Sequence, residues 1–335
     1  MKVLITGGAG YIGSTIATAL EESGHTPIIL DNLYKGRPEF VAGRIFYEAD
    51  IADRGAIAKL VADHPDLDAT IHCAARIVVP ESVEHPYEYY RDNVAKSLEL
   101  FDALTDLRKG RIVFSSSASL YATSESFEVT EESPLDPQSP YARTKYVMEM
   151  MLTDIAAASD LRAIILRYFN PIGSDPEFRS GIYDKVPSHV LGRMVAAAHG
   201  DIDRFEITGV DHPTRDGTGL RDYIHVWDLA KAHVATVEQF DQVLETEKSS
   251  STVINLGTGD GVTVRELLAS FERVYGESVP TREKPPRPGD AVGAYANVDK
   301  ATRLLDWRTQ STLDEAIASA LEWGRRRSEI LPDLA

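Results

Sequence analysis

A single cysteine, Cys73, stands in 335 residues, so no internal disulfide can form. No run of about 18 apolar residues is present, which argues against a membrane-spanning helix. Positive charge is scarce: 35 Lys and Arg face 52 Asp and Glu, giving a net charge of −17. Nucleic acid and anionic membranes are therefore poor partners, and an anionic small ligand needs locally placed Arg or Lys. His72, His225 and His233 have no Cys or acidic grouping at metal spacing, so a metal is not expected. No basic leader with an apolar core opens the chain, which makes the cytoplasm the expected compartment. Internal repeats are missing as well.

The chain does have a hydrophobic content of 43% with 26% charged residues, the range of folded globular proteins. Its length predicts two domains, or one large domain with another appended. The run KVLIT leads into glycines at 7, 10 and 13 and then into YIGSTIATALEE. This reads as strand, tight turn and helix, the arrangement that cradles a pyrophosphate on helix N–H groups. Gly7 permits the turn, Gly10 lets the backbone approach the phosphates, and Gly13 lets the helix pack on the strand. The second strand, TPIILDN at 26 to 32, ends on Asp31, where a ribose hydroxyl needs an acceptor. A carboxylate there repels the extra phosphate of NADP, so NAD is expected.

Strands at 44–50, 68–75, 111–117 and 163–170 alternate with helical patterns at 53–64, about 87–107 and 139–157. The alternation predicts a doubly wound parallel sheet of Rossmann type. Residues 1–170, completed by parts of 215–260, are expected to form the NAD-binding domain. Residues 171–335 read mainly as a smaller mixed α/β lobe, with helices near 186–199, 227–240 and 263–275 and strand VINLG at 253–257. The run ETEKSSS at 245–251 reads as an exposed loop, and RRR at 325–327 as a solvated helix end.

Chemistry concentrates in SSSASLY at 115–121 and SPYARTK at 139–145. Ser139 reads as a helix N-cap and Pro140 as the first helical residue. Tyr141 and Lys145 then share a helix face, where the ammonium is expected to bias the phenol toward its anion. Ser117, near the carboxyl end of a parallel strand, is placed to hold a reacting oxygen.

With these residues in hand, the sequence resembles the extended short-chain dehydrogenases/reductases, and within them the UDP-glucose 4-epimerase family. The shared stretches are TGGAGYIG, LDN at 30–32, AD at 49–50 followed by Ile51, ESV at 81–83, DNV at 92–94, FSSSASLY, SPYARTK, LRYFNPIG at 166–173, DGTGLRDYIHVWDLA at 216–230, NLGTG at 255–259 and RPGD at 287–290. The resemblance implies Ser117, Tyr141 and Lys145 as the catalytic set. It implies NAD contacts at Gly7, Gly10, Tyr11, Ile12, Gly13, Asp31, Asn32, Asp50, Ile51, Ala74, Ala75, Arg76, Asn93, Ser115, Tyr141, Lys145 and Phe169. The nucleotide sugar falls to Ser117, Tyr141, Asn170, Arg221, Tyr223, Arg287 and Asp290. The implied reaction is inversion at carbon 4 of a UDP-hexose through a transient 4-keto sugar, with NAD retained throughout.

A homodimer is also implied, through the helices around 87–107 and 140–157. Val147, Met148, Met151 and Leu152 suit either that contact or the core. A dehydratase of this fold carries an Asp-Glu pair where Ala118 and Ser119 stand, so dehydration is disfavoured. A UDP-uronate 4-epimerase, a 4-keto-sugar reductase and a noncatalytic NAD-sensing protein are the alternatives. Departures from the family pattern lie at Thr208, where an aromatic residue is common, at Tyr183, Asp184 and Lys185, and at 76–80. Ala294 aligns with a bulky tyrosine that limits the sugar pocket, which predicts room for an N-acetyl group; a shift of one residue puts Tyr295 there instead.

Overall fold

The structure, a computed structural model, describes residues 1–184, 187–286 and 292–334. Its centre is a seven-stranded parallel sheet. The first five strands are β1 (Lys2–Thr6), β2 (Thr26–Asp31), β3 (Ile45–Glu48), β4 (Leu67–His72) and β5 (Arg111–Ser115). A short β6 (Glu128–Val129) lies apart from it, and β7 (Arg162–Tyr168) returns to it. After β8 (Asn170–Ile172), β9 (Phe205–Thr208), β10 (Leu220–Arg221) and β11 (Tyr223–His225), β12 (Ser251–Leu256) completes the sheet at its edge. The order is β12-β7-β5-β4-β1-β2-β3. Strand order reverses between β1 and β4, and the crevice at their carboxyl ends is where such sheets bind ligands.

Apolar strands of this kind need cover on both faces. One face buries Ile16, Leu20, Leu229 and Val237 from α1 (Tyr11–Glu22) and the helix Val226–Glu238, with Ala301 and Leu304 from Asp299–Leu305. The other buries Ile57, Leu100, Leu104, Met148 and Leu152, from Arg54–Asp63, Lys96–Asp106 and α2, our label for Pro140–Ala158. Arg54–Asp63 and Lys96–Asp106 present one apolar face to the sheet, whereas Tyr11–Glu22 and Val226–Glu238 are buried on nearly all sides.

A second core gathers Ile172, Leu191, Met194, Phe205, Tyr223, Phe271 and Leu321. It belongs to the C-terminal lobe, built from the helices Val190–Ala198, Val264–Tyr275 and Leu313–Ile330 and from small sheets. In one of these, the order is β13-β10-β15-β6, where β13 is Val262–Thr263, β14 is Thr281–Lys284 and β15 is Gly293–Ala296. The chain thus weaves between layers: β6 comes from the first half but pairs with β15.

The expected helix at about 87–107 is present as one uninterrupted helical run over 86–106, but its middle is not α-helical. After a short helix at Val79–Glu84, Pro86–Tyr89 passes into a π-helical stretch, Tyr90–Ala95, and then into Lys96–Asp106. Prolines at 80 and 86 restart the backbone, and the wider π turn rotates Asn93 into the core. The 245–251 run is likewise not all loop: helix Phe240–Glu247 continues into it and stops at Lys248 in the left-handed region. Of the three arginines at 325–327, Arg327 is tied to the Asp184 carbonyl at 3.1 Å and to Asp201.

Candidate active site

The glycine turn sits at the mouth of the crevice. Gly7 has φ +71°, and a Cβ there would lie 2.7 Å from the Ala74 nitrogen, so only glycine lets β1 and β4 end side by side. Gly13 packs its Cα against the turn: a Cβ would meet the Gly7 carbonyl at 2.3 Å. Gly10 is different. A Cβ there would meet only the Gly7 carbonyl at 3.3 Å and the Tyr183 hydroxyl at 3.9 Å, leaving a cradle in front of the first-turn N–H groups of α1. The Tyr11 phenol donates to the Gly173 carbonyl at 2.7 Å, so this side chain anchors the turn to the C-terminal lobe, and its main chain faces the cradle with that of Ile12.

Asp31 accepts from the Ala9 and Leu33 N–H groups at 3.0 and 2.8 Å. Burial raises its pKa, opposed by those two bonds. Its remaining lone pairs fit a ribose diol. Further along the strand ends, Asn32 donates to Asp50, which also pairs with Lys96 at 2.6 Å, while Ile51 is buried in the core beneath. Arg76 bonds Asp92 at 2.7 Å and lies 4.4 Å over the Tyr34 ring, bridging the loops after β2 and β4. Ala74 and Ala75 line the gap between them, both partly buried. This set of glycine cradle, strand-end carboxylate and small residues fits a dinucleotide.

Asn93, fully buried, accepts from the Arg76 N–H at 2.7 Å and donates to the Arg76 carbonyl and to Thr144 Oγ1, both at 3.0 Å. It therefore clamps the loop after β4 to α2, one residue from Lys145. The cap of α2 matches the sequence reading, with Ser139 accepting from the Ala142 N–H at 3.1 Å and Pro140 opening the helix.

Tyr141 is 8% exposed and its phenol hydrogen-bonds the Ser117 hydroxyl. Ser117 lies two residues beyond the end of β5, because its side chain accepts the Ser119 N–H at 3.1 Å and starts a tight turn. Lys145 is 2% exposed, with Nζ donating to the Ser115 carbonyl at 2.8 Å. Burial pushes Lys145 down to about 8, opposed by Cys73 and Glu149. The expected tuning of Tyr141 by Lys145 is not what the geometry delivers. Burial raises the phenol, the Ser117 bond opposes this, and the ammonium is directed at the Ser115 carbonyl.

Beneath these groups lies a buried floor that the sequence reading missed. Ser116 donates to Glu149, Arg167 binds Glu149 at 2.6 Å and Tyr121 at 3.1 Å, and Tyr121 donates to Asn255 at 2.6 Å. Only Glu149 carried a local signal, following positions 141 and 145 at helical spacing; its partners did not. Ser115 Oγ contacts His233 Nε2 at 3.0 Å and Cys73 Sγ at 3.2 Å, and it also bonds Tyr168. Burial holds His72 near 3 and His233 near 4, so both are neutral structural groups. Among the described residues no cluster of metal-binding side chains exists.

On the opposite wall, Phe169 stacks on Tyr121 at 6.5 Å and Asn170 is exposed. Arg221 lies alongside, donating to the Leu220 and Val292 carbonyls. Tyr223 instead sits in the core of the C-terminal lobe, 4% exposed, its hydroxyl buried without a hydrogen-bond partner among the described residues. Asp222, another unforeseen residue, accepts from Thr258, Gly259 and Ala296 N–H groups and so joins NLGTG to the strand pair carrying Arg221. Arg287 and Asp290 lie outside the described residues, as does Lys185.

Arg221 and Ala294 are partners in the β10–β15 register and share a face. Ala294 packs toward Tyr121, Phe169 and Ala118, whereas Tyr295 faces Gly261 on the other side. Thr208 pairs with Lys284 in a separate small sheet.

The sequence pattern of the NAD dependent epimerase/dehydratase family matches residues 3–257. A UDP-glucose 4-epimerase of Bacillus subtilis is 38% identical over 96% of this chain and 96% of its own length. Among solved structures, a UDP-glucose-4-epimerase of Stenotrophomonas maltophila with bound NAD and formylated UDP-arabinopyranose superposes with a TM-score of 0.92. It is 37% identical and covers 98% of this chain and 99% of its own. The enzyme of Bifidobacterium longum in complex with NAD+ and UDP gives 0.91 at 34% identity, covering 97% and 98%.

Proposed function

The chain belongs to the NAD dependent epimerase/dehydratase family, and from that premise we propose that it is an isomerase, an NAD-dependent 4-epimerase acting on UDP-glucose and UDP-galactose. One observation carries the reading: a buried phenol, bonded to a serine just beyond the end of β5 and one helical turn from a buried lysine, lies toward the same carboxyl edge of the parallel sheet as the glycine turn after β1. Tyr141 Oη takes the proton of the 4-hydroxyl and returns it after the sugar has turned. Ser117 Oγ holds the same oxygen through both steps. Lys145, fixed on the Ser115 carbonyl, keeps further N–H donors that would hold the cofactor ribose. Bound NAD supplies the acceptor that takes and returns a hydride, and its positive ring supplies the charge that draws a buried phenol's pKa down. Arg221, with Arg287, supplies positive charge for the diphosphate in an otherwise acidic protein, and Asn170 and Asp290 bind the sugar nucleotide.

Ala294 supports a second substrate class. It is a small side chain on the Arg221 face, so space remains for an N-acetyl group at carbon 2 and UDP-N-acetylhexosamines are accepted too. A homodimer forms through the exposed faces of Lys96–Asp106 and α2, where Leu98 and Met150 are 43% and 41% exposed. Met148 and Leu152 take no part in it, being fully buried in the core. The cytoplasm is the proposed compartment, and no helix among the described residues is long and apolar enough to cross a membrane.

The test uses purified protein without added NAD and a panel of UDP-sugars, with product separation. Interconversion of UDP-glucose and UDP-galactose is expected, whereas NAD binding with no turnover points to a sensor. Turnover confined to UDP-glucuronate points to a uronate epimerase. Tyr141→Phe keeps NAD but loses about 10²-fold or more in kcat; unchanged turnover removes Tyr141 as the base.

A further inference from the structure

Tyr183 approaches the glycine turn from the second half of the chain. Its hydroxyl stands 3.9 Å from where a Gly10 side chain would begin, so it overhangs the cradle. Asp184, Asp31 and Arg37 all lie near enough to act electrostatically on the phenol. The hydroxyl thus faces the first turn of α1, with the ribose carboxylate in its charged surroundings.

The ring is held from behind. It packs edge-on against Phe40 at 5.8 Å, in a cluster with Trp323 and Leu331. The Trp323 indole donates to the Ile182 carbonyl at 2.7 Å, and a Cβ on Gly181 would lie 2.7 Å from the indole ring, so the chain at 181–182 lies flat upon it. Packing fixes the aromatic body while the hydroxyl makes no hydrogen bond among the described residues. The phenol O–H is therefore available as a donor to a ligand. On the crevice side, the group that fits between helix N–H donors and a ribose acceptor is a phosphate of the dinucleotide.

We propose that Tyr183 is a cofactor-retaining residue whose hydroxyl donates to a phosphate oxygen of bound NAD on the Gly10 side of the turn. The inference rests on the NAD reading above. It adds a contact made by the C-terminal lobe, at a position where the sequence departs from the family pattern. NAD leaves only when the 181–183 segment lifts from Trp323, which suits an enzyme whose cofactor is regenerated in place.

Tyr183→Phe keeps the ring against Phe40 and removes only the donor. The measurement is the exchange of bound NAD for isotopically labelled NAD in the holoprotein, alongside the melting temperature of the NAD-free protein. Exchange is expected to quicken about tenfold, the effect of one hydrogen bond to a charged group, with the NAD-free melting temperature unchanged. Wild-type exchange in Y183F overturns the proposal. Faster exchange with a parallel fall in NAD-free stability assigns Tyr183 to packing and also overturns it. Wild-type protein that takes up no NAD overturns the cofactor reading itself, a distinct result. Trp323→Phe, which removes the indole donor to Ile182, is expected to quicken exchange in the wild type and to add nothing to Y183F; additive effects count against the route through Tyr183.

Discussion

The floor under Tyr141 and the wall facing it are built on opposite plans. In the floor, Ser116, Lys145, Glu149 and Arg167 are between 0% and 4% exposed and are bonded to one another or to nearby main chain. On the wall, Asn170 is exposed and Ala294 is a small, half-buried side chain. A saturated network is rigid before any ligand arrives. On the proposed reading, the reaction chemistry belongs to the rigid parallel sheet and the choice of sugar to a surface that can change without disturbing it.

The strongest way to break this contrast is to cut the floor. Arg167→Ala leaves the Glu149 carboxylate buried and unpaired, and is expected to cost about 3–5 kcal/mol in chemical denaturation. A loss below about 1 kcal/mol means the floor is not the rigid element.

On the wall, Ala294→Tyr fills the space on the Arg221 face. The expected result is a fall of about 10- to 100-fold in kcat/KM for UDP-N-acetylgalactosamine relative to UDP-galactose, the scale of an overpacked pocket, with unchanged stability. Equal losses on both substrates refute the pocket assignment, and no N-acetyl turnover by the wild type removes it.

A third test is a pH dependence. Lys145 binds its proton less tightly folded, at about 8, than unfolded, at 10.5, so between those values the unfolded chain holds more protons and stability rises with pH. Below about 8 the cost of the buried ammonium is present in full. Lys145→Met is expected to flatten the pH 8–10.5 slope of the urea midpoint; a slope equal to wild type places the ammonium in a solvated site.

The contrast also governs what the sequence reveals. Helix Tyr11–Glu22 and the Ser139 cap follow from local spacing, because periodicity and caps act within a few residues. Tyr141 and Lys145 are legible for the same reason. Asn93 was named, but its route to the site depends on a π turn that no apolar period announces. The Lys145–Tyr141 tuning failed because helical spacing brings two side chains near without fixing where the ammonium points. Arg167 and Glu149 meet across 18 positions, and Tyr183 reaches Gly10 only through the packing of Trp323, so neither contact has a local signature.

The position of β12 has a consequence for synthesis. It lies at the edge of the sheet beside β7, yet 82 residues of the C-terminal lobe and its connecting helices are translated between Tyr168 and Ser251. Until Ser251–Leu256 leaves the ribosome, the apolar run RAIILRY offers an open row of backbone donors and acceptors to any other extended chain. The nascent protein therefore carries this open edge while the C-terminal half is being made, and mutations that slow the folding of that half are expected to promote aggregation through an edge they never touch.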